Sequence, residues 1–429
     1  MKTFSILFIL FLALNAETNY KKNISTDIRT VYINYNYDKG FADAEAFAAS
    51  LKLTYKQKLV DSLEFGVTLG TVQDLGIMDY DKSQKKRNKA YIFDKNKDNF
   101  SLLHQAYLKY SISKSFIKLG RFELETPLIS SDDYFVLSST FQGFQTEIKE
   151  VENYTFRAGY LSDMSGAWDS FYDGASFNSM TKQALAHRAD AGSEHYYSLV
   201  DDLNVDDTGL AYIGVEFDNN VFKIQLYDQM LLDSYNSIFT QVDYVIPINN
   251  KKLLIAGQYI KYDGIGTLNN NPNPEAVVDY ATYSAKANLS SDTWSATLAY
   301  TGVSDTGSIH FFGAHGAYPQ FARAGMINYF ETSLRDANIF SLSPSFKFIN
   351  GKSVFDISAV YAYYDLNSDY TKGGIAGDSI NGENYMNVYG LNIKYTLDKT
   401  LSFSARVAQR RLEHGDESLL LRTILRYTF

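Results

Sequence analysis

Downstream of Asn23, hydrophobic and polar side chains alternate in segments of about ten residues, joined in pairs by tight turns and separated by longer polar loops. In 384–397, Tyr389, Leu391, Ile393, Tyr395 and Leu397 share one face, and Asn392, Lys394 and Thr396 the other. In 400–411, Leu401, Phe403, Ala405 and Val407 oppose Ser402, Ser404, Arg406 and Arg410. In 293–302, Trp294, Ala296, Leu298 and Tyr300 oppose Ser295, Thr297 and Thr301; in 338–349, Phe340, Leu342, Phe346 and Phe348 oppose Ser341, Ser343, Ser345 and Lys347. A helix advances about 100° per residue and cannot sort side chains this way, whereas a strand does. Some segments are noisier: 252–262, with Leu253, Leu254, Ile255 and Ala256 in a row, does not declare its outer face.

The pattern predicts eighteen strands: 28–37, 44–56, 62–72, 100–112, 115–122, 144–150, 153–161, 209–218, 221–231, 237–247, 252–262, 280–290, 293–302, 338–349, 352–364, 384–397, 400–411 and 418–429. Sixteen would follow if two weak hairpins were mis-split. Asp218-Asn219-Asn220, Asn249-Asn250-Lys251, Ser290-Ser291-Asp292, Asn350-Gly351-Lys352 and Leu397-Asp398-Lys399 are hairpin turns by composition. Short turns at one end and long loops at the other (73–99, 162–208, 263–279, 303–337, 365–383) describe an all-β transmembrane antiparallel barrel. Its short turns would be periplasmic and its long loops extracellular. An even strand count puts both termini on the periplasmic side. The last strand ends in Phe429, on the parity of Leu419, Leu421, Leu425 and Tyr427, and must pair with the first strand to leave no edge in hydrocarbon.

Composition agrees with a wall wetted on one side. Hydrophobic residues make up 45% of the chain, yet the mean hydropathy is −0.23. Lipid-facing and lumen-facing residues average out in this way. The 34 Tyr and 29 Phe suit membrane interfaces, where an aromatic ring meets acyl chain and a hydroxyl meets water. Cys is absent, which removes disulfides and thiolate metal sites, and the net charge of −9 argues against nucleic acid as a partner. At the N-terminus, Lys2, the apolar run Phe4 to Leu14 and the small Ala16 form an export signal, with Leu14 larger than usual three residues before the cut. The expected organisation is a signal peptide 1–16, a periplasmic lead-in 17–27 and a barrel 28–429, in the bacterial outer membrane.

Barrels of 16–18 strands leave an aqueous channel. Lys52, Lys109, Arg157, Lys223, Lys286, Lys347, Lys394, Arg406, Arg410, Arg422 and Arg426 fall on the polar parity, against fewer carboxylates (Glu64, Glu216, Asp243, Asp356). On the lipid face such a cation would cost about 2–4 kcal/mol near the midplane, so the parity implies a wet lumen. A basic ladder of Arg157, Lys286, Lys347, Lys394, Arg406, Arg410, Arg422 and Arg426 is the candidate guide for anionic groups. The plainer alternative is that these cations pair with inward carboxylates.

The run Leu119-Gly120-Arg121-Phe122-Glu123-Leu124-Glu125-Thr126-Pro127-Leu128-Ile129-Ser130-Ser131-Asp132-Asp133, continuing to Ser139-Thr140-Phe141-Gln142-Gly143, resembles the OprD-type outer-membrane porin family. The resemblance implies an eighteen-stranded barrel whose third loop folds into the pore, an Arg/Lys ladder on one wall, and passage of amino acids or small organic acids. Here that loop would be 123–143, with Glu123, Glu125, Asp132 and Asp133 as its acidic members. The family's loop often has a basic residue followed by Pro before its Phe-x-Gly; Tyr134-Phe135-Val136-Leu137-Ser138-Ser139-Thr140 has no such pair. A carboxylate-bearing loop opposite a cationic wall would set a transverse field across a narrow slot.

The function these features favour is passive diffusion of small hydrophilic solutes through a constricted channel. The alternatives are an adhesin or receptor barrel that binds through its loops, or a barrel hydrolase. His104, His187, His195, His310, His315 and His414 are mostly in loops and show no Ser/Asp setting in sequence, which disfavours catalysis. Asp201, Asp202, Asp206 and Asp207 lack the spacing of a calcium loop, so no metal or cofactor is expected. Lys82, Lys85, Lys86, Arg87 and Lys89 form a basic loop suited to lipopolysaccharide phosphates or simply to water. Trp168, Phe311, Phe312, Tyr318 and Phe321 give the two longest loops mass to fold over the mouth. Expected partners are outer-membrane lipid and lipopolysaccharide, small solutes, the barrel-assembly machinery through Phe429 and, as one arrangement, further copies of the chain in a homotrimer.

Overall fold

The structure is a computed structural model that describes residues 23–38, 43–78, 87–88, 92–93, 98–131, 136–165, 177–189, 205–269, 277–307, 311, 313–322, 334–368, 382–398 and 400–429. The expected signal peptide, the basic residues Lys82, Lys85, Lys86 and Lys89, and Trp168, Phe312, Asp201 and Asp202 lie outside them, as do Asp132, Asp133, His195 and His310.

In chain order the strands are β1 (Ile24–Tyr37), β2 (Ala44–Val60), β3 (Leu63–Gln73), β4 (Arg87–Asn88), β5 (Phe100–Ile112), β6 (Ser115–Phe122) and β7 (Thr140–Ile148). Then come β8 (Tyr154–Ser165), β9 (Asn178–Ser179), β10 (Leu210–Asp218), β11 (Phe222–Leu231), β12 (Tyr235–Ile248), β13 (Lys251–Gly264) and β14 (Asp279–Ser290). The last are β15 (Trp294–Val303), β16 (Asn338–Asn350), β17 (Ser353–Asp365), β18 (Tyr385–Thr396), β19 (Leu401–Leu412) and β20 (Glu417–Thr428). β4 and β9 are two-residue segments within loops, and the other eighteen strands form the wall. Each wall strand pairs antiparallel with its neighbours in sequence, and β1 pairs with both β2 and β20. From Asp27↔Thr428 to Tyr37↔Ser418 the register is continuous, so the barrel is closed. A strand of about 12 residues at 3.4 Å each, tilted by ~40°, rises roughly 31 Å, enough for an apolar band of ~25 Å.

Exposure follows the expected parity. Tyr389, Leu391, Phe403, Val407, Phe340, Leu342, Phe346, Phe348, Leu419, Leu425, Tyr427 and Phe429 are all exposed on the outer face, and Leu298 is 61% exposed. The undeclared segment in β13 turns Ile255 and Tyr259 outward and Ala256, Gln258, Ile260 and Tyr262 inward. Both of its faces are apolar because Ile260 and Tyr262 belong to a buried cluster inside the barrel. β1 begins at Ile24, upstream of residue 28, and inverts the pattern along its outer half. There Val31, Ile33 and Tyr35 point inward and are buried, while Tyr32 and Asn34 point outward and share the Glu45 carboxylate.

The inversion has a cause in the loops. Two sets of apolar side chains fill the extracellular half of the lumen. One packs Val136, Leu137, Ile92 and Phe93 against Val31, Ile33, Ala44, Ala46 and Val72. The other joins Leu124, Leu128 and Ile129 to Tyr235, Tyr262, Tyr280, Phe311 and Tyr318. The described part of the longest loops therefore enters the barrel, where an extracellular position was expected. Ile129 bridges Gly316, Ser130 N donates to His315 O (2.9 Å), and Phe311 stacks on Tyr235 with ring centroids 4.4 Å apart. Gly316 has φ +85° and an added Cβ would lie 2.2 Å from Ser130 O, so the contact requires glycine.

His315 joins three segments at that point. Its Nδ1 lies 3.4 Å from the Tyr235 hydroxyl, and its Nε2 3.4 Å from Met180 O at the start of helix α1 (Met180–Ala189). A neutral ring satisfies both contacts, with Nδ1 accepting and Nε2–H donating. Burial pushes the imidazole pKa down to about 4, only partly opposed by the Met180 carbonyl.

Two predictions follow from this packing. Leu298→Lys places a cation against lipid and should destabilise the barrel by about 2–4 kcal/mol, whereas Thr297→Lys on the wet face should be near neutral. Urea unfolding in lipid vesicles measures the difference, and equal effects would contradict the assigned faces. For His315, the folded pKa lies below the unfolded value of about 6.5, so its contribution is complete above that pH and is lost as pH falls through about 4. The loss is roughly 3 kcal/mol at most, and it should loosen the inner loops. Proteolysis of the folded barrel should accelerate from pH 7 to pH 4, and less so in His315→Gln. An identical pH response in the two proteins would remove His315 from the account.

Candidate functional site

Strand pairing gathers the predicted cations unevenly. Arg406 on β19 is the direct register partner of Arg422 on β20, Arg426 is opposite Arg29 on β1, and Arg410 is opposite Ser418. Lys394 pairs with Asp356, which also pairs with Lys347. Read from the extracellular end, the wall carries Arg410, then Arg406 with Arg422, then Arg426 with Arg29, with Lys394 and Lys347 near the periplasmic turns. Arg406, Lys394 and Lys347 are exposed and Arg426 is partly so, whereas Arg29, Arg410 and Arg422 are buried. Like charges directly opposite on a sheet destabilise it, so the Arg406–Arg422 pairing carries a cost in stability.

The other predicted ladder members stand elsewhere. Arg157 donates to Glu147 (2.8 Å), to the Tyr227 hydroxyl (2.9 Å) and to Glu216, so two carboxylates balance its charge. Lys286 lies 4.1 Å from the centre of the Phe321 ring, under the loop that follows β15. Lys109 sits over Phe116, and Lys223 is opposite Asp243. For these positions the plainer reading applies: they are paired or packed within the wall.

Glu123, immediately after β6, is the link between wall and loop. Its carboxylate accepts from Lys52 Nζ (3.2 Å) and Ser138 Oγ (2.5 Å), and His104 Nε2 is 3.6 Å away. Lys52 also reaches Asp27 (3.8 Å), which Arg426 clasps through Nε (3.1 Å) and Nη2 (2.6 Å). Charges thus alternate from β20 through β1 and β2 to the loop: Arg426, Asp27, Lys52, Glu123. Burial works to raise the Glu123 pKa, but the adjacent His104 ring, the Lys52 charge and the Ser138 hydroxyl hold it below the usual carboxylate range.

Glu125 is exposed and accepts from Ser130 Oγ (2.7 Å) and Ser131 N (2.9 Å), which folds 124–131 into a tight hairpin. The loop ends at Ser139, because 140–143 belong to β7. Where it leaves and re-enters the wall, Gly120 and Gly143 are register partners. A Cβ would lie 2.2 Å from Ala106 O at the first and 2.0 Å from Tyr160 O at the second, so the motif's glycines permit close strand approach.

Asp27, Arg29, His104 and Ser138 were not among the expected site residues. Asp27 and Arg29 share the inward parity of β1; Asp27 lies upstream of the strand expected from 28, and Arg29 lies within it on a parity whose next members, Val31, Ile33 and Tyr35, are apolar. His104 is on β5 and buried against Ser138 (3.2 Å), so a Ser-His-Glu grouping does exist. Its geometry is not that of an acyl-transfer triad: hydroxyl and carboxylate approach the same ring nitrogen, where a triad needs the acid on the other one. Of the acidic loop residues considered for calcium, Asp207 pairs with Lys182 (3.4 Å), and the Asp206 amide donates to Asp233.

Comparison with known proteins agrees with this architecture. The family model described as outer membrane porin, OprD family, matches residues 21–336. No curated protein matches the sequence. Among solved structures, Pseudomonas aeruginosa OccK9 (OpdG) is similar with a TM-score of 0.71 and 16% identity, covering 95% of this chain and 98% of that one. Acinetobacter baumannii OccAB4 gives 0.66 and 14%, covering 95% and 97%. Pseudomonas aeruginosa OpdK, solved with vanillate, gives 0.67 and 15%, covering 95% and 99%. A closed eighteen-stranded wall with a loop anchored inside it, together with a family model matching most of the sequence, leads to one assignment: the chain belongs to the OprD family of outer membrane porins.

Proposed function

We propose that this outer-membrane channel passes small hydrophilic solutes bearing a carboxylate, such as amino acids and small organic acids, guided by Arg406, Arg426 and Lys394. The reading rests on one observation: Lys394, Arg406 and Arg426 share the inward parity of three neighbouring strands, where Arg406 is exposed directly opposite Arg422, so cations outnumber the carboxylates Asp27 and Asp356 along that wall. Arg29, Arg410 and Arg422 act from beneath the surface by adding positive potential. Vanillate, seen in the OpdK structure, carries the kind of carboxylate such a wall would attract.

The loop 123–139 narrows the passage on this reading, with Glu123 as its anchor and not as a free charge facing the arginines. Glu125 remains the acidic member that meets water, opposing the cationic wall. Residues 1–16 are the export signal. Phe429 faces outward and exchanges backbone hydrogen bonds with Thr26 (2.8 and 3.0 Å), which is compatible with recognition of this strand by the barrel-assembly machinery.

Removal of one unit charge at roughly 5 Å from a passing ion, in a water-like dielectric, changes its energy by about 0.8 kcal/mol, or about four-fold in partitioning, with opposite sign for anion and cation. Arg406→Ala should therefore lower the anion-to-cation permeability ratio by about sixteen-fold, and Arg406→Ala with Arg426→Ala by more. Reversal potentials in planar bilayers under a salt gradient read this directly. Values equal to those of the unsubstituted channel would exclude the arginine wall as the selectivity element. Liposome swelling with matched acids, amino acids and sugars then ranks the solutes, and equal rates for acids and sugars of one size would reject the carboxylate preference.

A further inference from the structure

A second group of chemistry-bearing side chains lies at the extracellular rim, away from the arginine wall's open face. Glu383 precedes β18, and Glu413 and His414 stand in the turn between β19 and β20. One donor atom from each residue lies within 4.8 Å of the other two. We propose that Glu383, Glu413 and His414 form a binding site for a zinc-type divalent cation that ties the end of the 366–384 loop to the β19–β20 turn.

The donors are held from behind, as ligands of a metal site are. Glu413 Oε2 accepts from Asn384 N (2.8 Å) and Asn384 Nδ2 (2.9 Å), which orients the carboxylate. Glu383 Oε2 accepts from the His414 backbone N–H (3.2 Å), and its Oε1 lies 2.9 Å from His414 Nδ1. The turn itself is pinned, with Glu413 N donating to Tyr385 O (3.2 Å) and Gly415 N to Leu412 O (3.2 Å). Amide partners that orient ligating carboxylates are the second layer found around protein-bound metals.

The donor set selects the ion. Two carboxylates and one imidazole, with water in the fourth position, match tetrahedral Zn²⁺. Donors on such an ion lie about 3.3 Å apart, so Glu383 and His414 need only separate by a few tenths of an ångström and Glu413 must swing inward. His414 is exposed and Glu413 half-buried in the turn, where they can make that adjustment, while Glu383 is buried and serves as the fixed point. Calcium and magnesium prefer all-oxygen sets, and an imidazole nitrogen disfavours them. The chain has no Cys and only six His, so background binding of Zn²⁺ is low.

The test uses the full-length barrel in detergent micelles, produced without a polyhistidine tag, titrated with Zn²⁺ by calorimetry at pH 7. One saturable Zn²⁺ per barrel is expected, weakened at least about ten-fold by His414→Ala and by Glu413→Gln, with no comparable heat from Ca²⁺. His414 is exposed and Glu413 half-buried, and circular dichroism with heat-dependent gel mobility checks that each variant is folded. Absence of one-to-one binding, unchanged affinity in His414→Ala, or equal affinity for Ca²⁺ would each overturn the site.

Discussion

A bilayer offers no hydrogen bonds, and that constraint orders everything else in this protein. Each backbone N–H and C=O crossing the hydrocarbon must find a partner in a neighbouring strand, so the sheet has to close. Closure here falls to β1 and β20, whose register runs unbroken from Asp27↔Thr428 to Tyr37↔Ser418. Once the wall is closed, a strand's two faces meet different solvents, and the alternation of side chains is the direct consequence. Leu298 and Phe348 can be exposed because their solvent is lipid, and Arg406 can be exposed because its solvent is water.

Closure also decides where charge collects. The seam brings Asp27 of β1 between Arg426 of β20 and Lys52 of β2, and Lys52 in turn holds Glu123 at the base of the inward loop. Glu123 itself is held by Lys52 of β2, beside His104 of β5 and Ser138 of its own loop, and the seam adds Arg426 to this run of charges through Asp27. The seam joins strands at opposite ends of the sequence. Non-local pairing of this kind carries a high loop-closure entropy, which the many cross-strand hydrogen bonds offset.

The wall was legible in the sequence because period-two alternation needs no tertiary information, and the strand count, turns and outward faces of β15, β16, β18, β19 and β20 all follow from it. The arginines of β19 and β20 were legible for the same reason. What escaped was set by packing inside the lumen. Val31, Ile33 and Tyr35 look lipid-facing by composition but point inward, because Val136, Leu137 and Phe93 cover them. β13 looked ambiguous because its inward Ile260 and Tyr262 lie against other buried aromatics. His104 and Ser138 are 34 residues apart, and their contact depends on a loop returning to a wall it left. Residue type alone also marked Arg157 as a guide for solutes, whereas its carboxylate partners come from strands on either side.

The halves of the lumen thereby take different tasks. Toward the extracellular end, inward side chains such as Tyr235, Tyr262, Tyr280, Ile339, Tyr364 and Val388 are buried, and loops occupy the space. Toward the periplasmic end, Lys347 and Lys394 are exposed and the wall is wet. On the proposed reading, a solute entering from outside would meet steric exclusion before the exposed cations, so size would be tested first and charge second.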